Sequence, residues 1–309
     1  MLECCGSMET WEINNKRFLK KEDVNLSNHL NYSEKFIAFI DILGFKQMVT
    51  DSISGQGKDL AEILEIMKLL GSQERKAYYH ESQPPPICPH SQCIQPHMDF
   101  EITQISDCVI LSCEISEAGA INMINECHKI AMRLLRRSIL CRGYITKGTV
   151  YHKDMTILGT GYQDAYHHEE EEITAFHESL DEKGTPFIEI APSFKSFIES
   201  CDNTVQILFK RMTKTDGSVT AIFPFSQLES TIITGSYMGF KHDLVDQKKE
   251  NLELLAWLQQ VISLLDFSTE KASAKTKYYH RFLKETIETA QEVDQMLAQQ
   301  ILQKALDDF

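Results

Sequence analysis

Apolar residues along the chain fall into short runs and helical stripes that alternate. Lys35-Phe36-Ile37-Ala38-Phe39-Ile40-Asp41 is a compact apolar run that ends on an acid, the pattern of a buried strand. Gly44 and Phe45 follow, then a helical stretch to about Asp51. Across 58–76, Leu60, Ile63, Leu64, Ile66, Met67, Leu69 and Leu70 recur at helical spacing and predict a second helix. A loop rich in Pro, Cys and His runs from about Glu81 to His97. Two β patterns come next, 98–105 and 108–115, with only Ser106-Asp107 between them as a tight turn. The stretch 117–138 reads as a long amphipathic helix, its apolar side marked by Ile121, Ile124, Cys127, Ile130, Met132 and Leu134.

Strands are expected at Ile139–Thr146 and, beyond Lys147-Gly148, at Thr149–His152. A glycine-broken segment (Leu158 to Gly161) and a helix (Tyr162 to about Glu172) follow. Strands are further expected at Phe187–Ile190, Val205–Lys210 and Thr220–Phe223, with a helix at Pro192–Glu199. The last third reads as helical, Leu252–Leu265 and then about Ser273–Phe309. The order β-α-α-β-β-α-β, then β-α, predicts an α+β fold of ferredoxin-like, palm-type layout: a mostly antiparallel sheet with helices on one face. Three regions result: a lead-in at 1–34, partly helical around Lys16 to Asp23, a core at 35–225 with an insert at 81–97, and a helical region at 226–309.

Composition narrows the class. The 309 residues carry 31 Lys+Arg against 45 Asp+Glu, a formal charge of −14. A pI near 5.3 argues against a general nucleic-acid binder, because neutralising phosphates needs a basic surface. Mean hydropathy is −0.26 and no apolar run reaches the ~18 residues of a membrane span, so no membrane partner is expected. Nine scattered cysteines and a polar beginning without an apolar leader segment predict reduced thiols and a cytoplasmic protein.

Two acids stand out. Asp41 closes the apolar strand and Asp107 sits in the hairpin turn, and in a palm layout the strand end and the hairpin meet at the sheet centre. Paired carboxylates with a free carbonyl make a hard-oxygen site for Mg²⁺ or Mn²⁺ and substrate phosphates. From spacing alone, a helix-capping Asp and a turn Asp fit as well.

At these residues the chain resembles a known family. Phe39-Ile40-Asp41-Ile42-Leu43-Gly44-Phe45 resembles the first metal motif of the class III nucleotide cyclases, the adenylate/guanylate cyclase catalytic domain. Ile105-Ser106-Asp107 resembles their hairpin Gly-Asp motif, with Ser for Gly. Cys141-Arg142-Gly143-Tyr144-Ile145-Thr146-Lys147-Gly148 resembles their Arg-x-Gly-x-x-x-Gly strand, and Gly159-Thr160-Gly161-Tyr162-Gln163-Asp164-Ala165 the glycine segment that enters the helix of transition-state residues. The likeness spans about 35–225, with the motifs in family order.

The resemblance implies a two-metal cyclisation of a nucleoside triphosphate to a 3′,5′-cyclic nucleotide and pyrophosphate. Two Mg²⁺ or Mn²⁺ ions would be held by Asp41, Asp107 and the Ile42 carbonyl, with Phe45 beside the substrate. It also implies a homodimer with its sites at the interface, one subunit giving the metal ligands and the other the helix residues. Gln163 replaces the family's Asn, and His167 its Arg, a weaker and pH-dependent cation. Thr103 and Thr156 stand where adenine-reading Lys and Asp are expected, so a pyrimidine or guanine base is favoured over adenine. Phosphate cations are sought in Arg142, Lys147, Lys275 and Lys277. Bacterial pyrimidine cyclases of antiphage signalling are similar in their stripped-down, single-domain form. The alternative is a catalytically reduced cyclase-homology domain that senses nucleotide or dimerises.

Cys88, His90, Cys93 and His97 offer a Cys₂His₂ zinc set, but structural sites space two ligand pairs over a longer loop, and an insert with incidental ligands is the expectation. Tyr151-His152 reads as a strand pair and His128 as a packed histidine.

Overall fold

The structure is a computed structural model that describes residues 30–71, 98–171, 173–176, 184–225, 243–265 and 270–307. The expected helix around Lys16 and the loop at 81–97 lie outside them. Strand β1 (Ser33–Ile42) is the spine of the sheet, pairing antiparallel with β3 (Cys108–Glu114) on one side and β4 (Cys141–Lys153) on the other. The edge beyond β3 is β2 (Glu101–Ile105), while β6 (Ile188–Ile190), β8 (Val219–Ile222) and β7 (Thr213–Asp216) extend the sheet past β4. The eight-stranded sheet runs β2-β3-β1-β4-β6-β8-β7, with β5 (Thr156–Leu158) paired to β4 off this path. Among the described residues only β4–β6 is a parallel pair, so the expectation of an α+β fold with a mostly antiparallel sheet holds. The first four strands keep the β-α-α-β-β-α-β order read from the sequence.

Alternation along β1 divides the sheet into two faces. Phe36, Ala38, Ile40 and Ile42 enter the main core with helices α1 (Phe45–Ile53), α2 (Leu60–Lys68), α3 (Glu117–Leu135), α5 (Pro192–Ser200) and α6 (Asn203–Met212). Phe36 anchors that layer, its ring 4.5 Å from Phe194 and 5.1 Å from Phe197. A side chain of that kind contributes about 1.5–3 kcal/mol on burial. Ile37 and Phe39 face the other way, and with Ile110, Val150 and Ala165 they pack beneath helix α4 (Thr160–Glu171). Helices therefore cover both faces, and the one-face expectation is corrected at α4.

Three further readings change. The two strands expected at 139–152 are one, β4, because Gly148 is needed inside the strand rather than at a break: a Cβ there would lie 2.7 Å from the Cα of Gly161 on α4. An unexpected hairpin then joins β4 to β5, with Asp154 and Met155 at φ 47° and 65°, the backbone of a tight two-residue turn, and the glycine-broken stretch leads from β5 into α4. Val205–Lys210 is helical. Val205, Phe209 and Met212 are buried at i, i+4 and i+7 while Ile207 is exposed, and Asp202 caps the helix by accepting from the amides of Thr204 and Val205. The alternation of Val205, Ile207 and Phe209 imitated a strand, but the cap and the helical stripe outweigh it.

Helices α7 (Leu244–Leu264) and α8 (Glu270–Asp307) pack on each other, and Asn251 donates to the Ala290 carbonyl between them at 2.8 Å. Leu258, Val261, Tyr279, Phe282 and Leu283 close a second core with Phe176, Phe187, Phe223 and Phe225. Phe223 and Phe282 lie 4.7 Å apart, centroid to centroid. The expected boundary at 225/226 thus falls within a shared aromatic layer.

Candidate functional site: an acidic cluster at the end of the central strand

The antiparallel register sets Asp41 opposite Cys108 on one neighbour and Arg142 on the other. The Ile42 amide donates to the Asp107 carbonyl at 3.1 Å, which fixes the hairpin turn against the end of β1. Asp41 lies on the α4 face of the sheet, as strand alternation with Ile37 and Phe39 requires. Asp41 and Asp107 are both partly buried and close enough for a side-chain hydrogen bond.

The hairpin carries backbone strain. Ser106 has φ 54°, and only this first residue of the two-residue turn is positive, a conformation that favours glycine.

Helix α4 supplies a third acid. Gly161, Ala165 and Glu169 form its buried stripe, and Glu169 pairs with the Arg142 guanidinium through Nε. One residue earlier, His168 stacks on Tyr144 with centroids 3.6 Å apart, and its Nε2 meets a Glu189 carboxylate oxygen at 3.0 Å. Glu189 also accepts from the amides of Thr174 and Ala175, each at 2.6 Å, so the end of α4 is tied to the sheet twice.

Burial pushes Asp41 up to about 7, with the like charges of Glu169 and Asp107 and the hydrogen bond to Asp107 adding to the rise, and Arg142 opposing it. Burial and the same three carboxylates push the Cys108 thiol up to about 12, and its S–H donates to the Ile105 carbonyl at 3.0 Å. A thiol held that high stays protonated and is no nucleophile.

Donor chemistry and charge both suit a divalent cation at Asp41 and Asp107: two carboxylate groups of hard oxygen, crowded by like charge that a cation would relieve. Among the described residues no three His, Cys, Asp or Glu side chains are arranged to hold a metal by themselves. Any ion there needs oxygens from the backbone, water or substrate to complete its shell.

The other expected residues scatter. Phe45 is a core residue at the first position of α1, on the face opposite Asp41. Thr103 is buried, its hydroxyl 2.9 Å from His152 Nε2, and the Ser112 hydroxyl lies 2.9 Å from His152 Nδ1, so both ring nitrogens are satisfied and His152 is a packed strand residue. Thr156 is exposed on β5, opposite Lys153. Gln163 and His167 share the exposed stripe of α4, away from this chain's own acids. Lys275 and Lys277 lie early on α8, where Lys277 is exposed. That part of α8 is carried to the acidic end of the sheet, since Tyr279 shares its surroundings with Cys141, the register partner of Ile42. The Cys88, His90, Cys93 and His97 set lies outside the described residues.

Sequence reading missed Glu169. It sits within a run of four glutamates, and only the helical phase from Gly161 and Ala165 singles it out. No family model matches the chain, and no curated protein is a match to it.

Proposed function

We propose that the chain is a nucleotide cyclase of the class III kind, on a palm-type sheet, that converts a nucleoside triphosphate to a 3′,5′-cyclic nucleotide and pyrophosphate. The observation that carries this reading is the meeting of Asp41 and Asp107 at the end of β1, locked by the hydrogen bond from the Ile42 amide to the Asp107 carbonyl. The order β2-β3-β1-β4 with intervening helices supports the palm-type layout.

In this reading Asp41, Asp107 and the Ile42 carbonyl would hold two Mg²⁺ or Mn²⁺ ions. When bound, the ions supply acidification of the ribose 3′-hydroxyl and charge relief on the leaving pyrophosphate. The 3′-oxygen forms its bond to the α-phosphorus as the bond to pyrophosphate breaks. Arg142, the register partner of Asp41, and Lys275 and Lys277, early on α8, are the cations this reading assigns to the phosphates. Gln163 and His167 serve the site of a second copy across a two-fold axis, because their stripe turns away from their own acids. Thr103, bound to His152, is withdrawn from base reading, which leaves Thr156 as the remaining candidate of the two.

One observation favours the reduced, nucleotide-sensing alternative: Arg142 is already engaged by Glu169. Incubation of purified protein with each of the four ribonucleoside triphosphates and Mn²⁺, with products identified by mass, decides between them. A 3′,5′-cyclic product that is lost in Asp41→Ala and Asp107→Ala is the expected result. Binding without turnover under every metal condition transfers the assignment to a sensor, and linear or oligomeric products to another palm-type nucleotidyl transferase.

A further inference from the structure

The Arg142–Glu169 pair is largely withdrawn from water, Glu169 buried at 4% side-chain exposure and Arg142 partly buried at 18%. A buried ion pair is a costly way to fasten a helix, since desolvating both charges offsets most of their attraction. The fastening is also duplicated, because the neighbouring His168 already ties α4 to Glu189 and Tyr144. Glu169 moreover crowds Asp41 with like charge. A tie chosen for stability alone has no reason to sit there. Carboxylate and phosphate oxygens compete for the same guanidinium geometry.

We propose that Glu169 is a positioning residue that holds Arg142 as an internal stand-in for polyphosphate, and that an arriving triphosphate takes the guanidinium from it. The inference deepens the cyclase reading of this site and rests on it. In the resting protein Arg142 is pre-aimed at the acids and its charge is satisfied. Exchange leaves Glu169 facing the positive charge that accompanies a metal-bound polyphosphate. The site then discriminates against weak anions, which must outcompete a built-in carboxylate, and admits ligands with several phosphate oxygens.

Binding of Mg²⁺-loaded inorganic tripolyphosphate, followed by calorimetry in the wild type, Glu169→Gln, Arg142→Gln and the double variant, tests it. Glutamine keeps the shape of Glu169 and removes its charge. Glu169→Gln is expected to tighten binding about tenfold with Arg142 present, the scale of one released charge-assisted contact, and by less than about twofold in the Arg142→Gln background. Glu169→Asp, which loosens the same pair, is expected to give a smaller gain of the same sign. An equal gain in both backgrounds reduces Glu169 to a general field effect and overturns the proposal, as does no gain, or no binding by any variant. The cyclase reading is scored separately by product mass. Cyclic product with unchanged tripolyphosphate affinity removes only the stand-in, whereas the Arg142-dependent gain without cyclic product from any nucleotide removes only the cyclase.

Discussion

Gly148 on β4 and Gly161 on α4 lie back to back, so that a Cβ on Gly148 would fall 2.7 Å from the Cα of Gly161. A Cβ on Gly161 would in turn meet the Ile37 side chain at 2.5 Å. Gly159, at φ 142°, makes the approach possible by turning the chain from β5 into α4 where side chains are disfavoured. Residues that resemble a nucleotide-site motif therefore have a packing duty first: they bring α4 down on the sheet, and with it Glu169.

Gly148→Ala is expected to cost about 3 kcal/mol in urea unfolding, the scale of an overpacked core position. It should also weaken the Arg142–Glu169 pair by lifting α4. A loss below about 0.5 kcal/mol, the usual range of a surface change, would mean that α4 shifts without resistance.

Ser106→Gly is expected to stabilise the protein, by about 1 kcal/mol at most, because glycine accepts the positive φ that serine holds under strain. Thermal unfolding measures it, and a lower melting temperature would show that the turn is unstrained.

Two buried groups act on pH stability in opposite directions. Asp41 binds its proton more tightly folded than unfolded, so its contribution falls as pH rises from about 4 to about 7. His128 is pushed down to about 4 by burial, so its contribution rises over about 4 to 6.5 as the unfolded chain gives up its proton. Each spans roughly 3–4 kcal/mol, and the wild type is expected to be nearly flat over their common range. Asp41→Asn should expose the His128 rise and be the more stable protein at pH 7.5 without divalent metal. A variant less stable than wild type there would show that ionised Asp41 is well compensated.

Asp41→Ala and the Gln163→Ala/His167→Ala double variant are each expected to lack cyclase activity. Mixed in equal amounts they should recover about one quarter of the wild-type rate, since half the dimers are mixed and each of those keeps one intact site of two. Mixtures that stay inactive would put both groups in a single chain's site.

Local pattern sufficed where one element explains itself. β1, the β2–β3 hairpin and α3 follow from apolar runs, a two-residue turn and a helical stripe capped by Ser116. The meeting of Asp41 with Asp107 was legible for the same reason, since it needs only a strand end and a turn. What pattern could not carry is contact between elements of unlike kind. Nothing local distinguishes Glu169 from the glutamates after it, or tells that Thr103 is bound to a histidine 49 positions away. Gly148 looked like a break because the helix that requires its missing side chain comes later in the chain.

The aromatic layer shared with α8 sets an order of events in synthesis. Phe187, Phe223 and Phe225 emerge well before Tyr279 and Phe282, which cover them. Until α8 has been made, the β6–β8 side of the sheet presents uncovered rings, while the β1–β4 half already has its helices. The nascent chain is thus exposed to aggregation over its last stretch of translation. A protein cut at 225 is expected to be insoluble where the full chain is not, so the C-terminal helices complete the sheet domain instead of hanging from it.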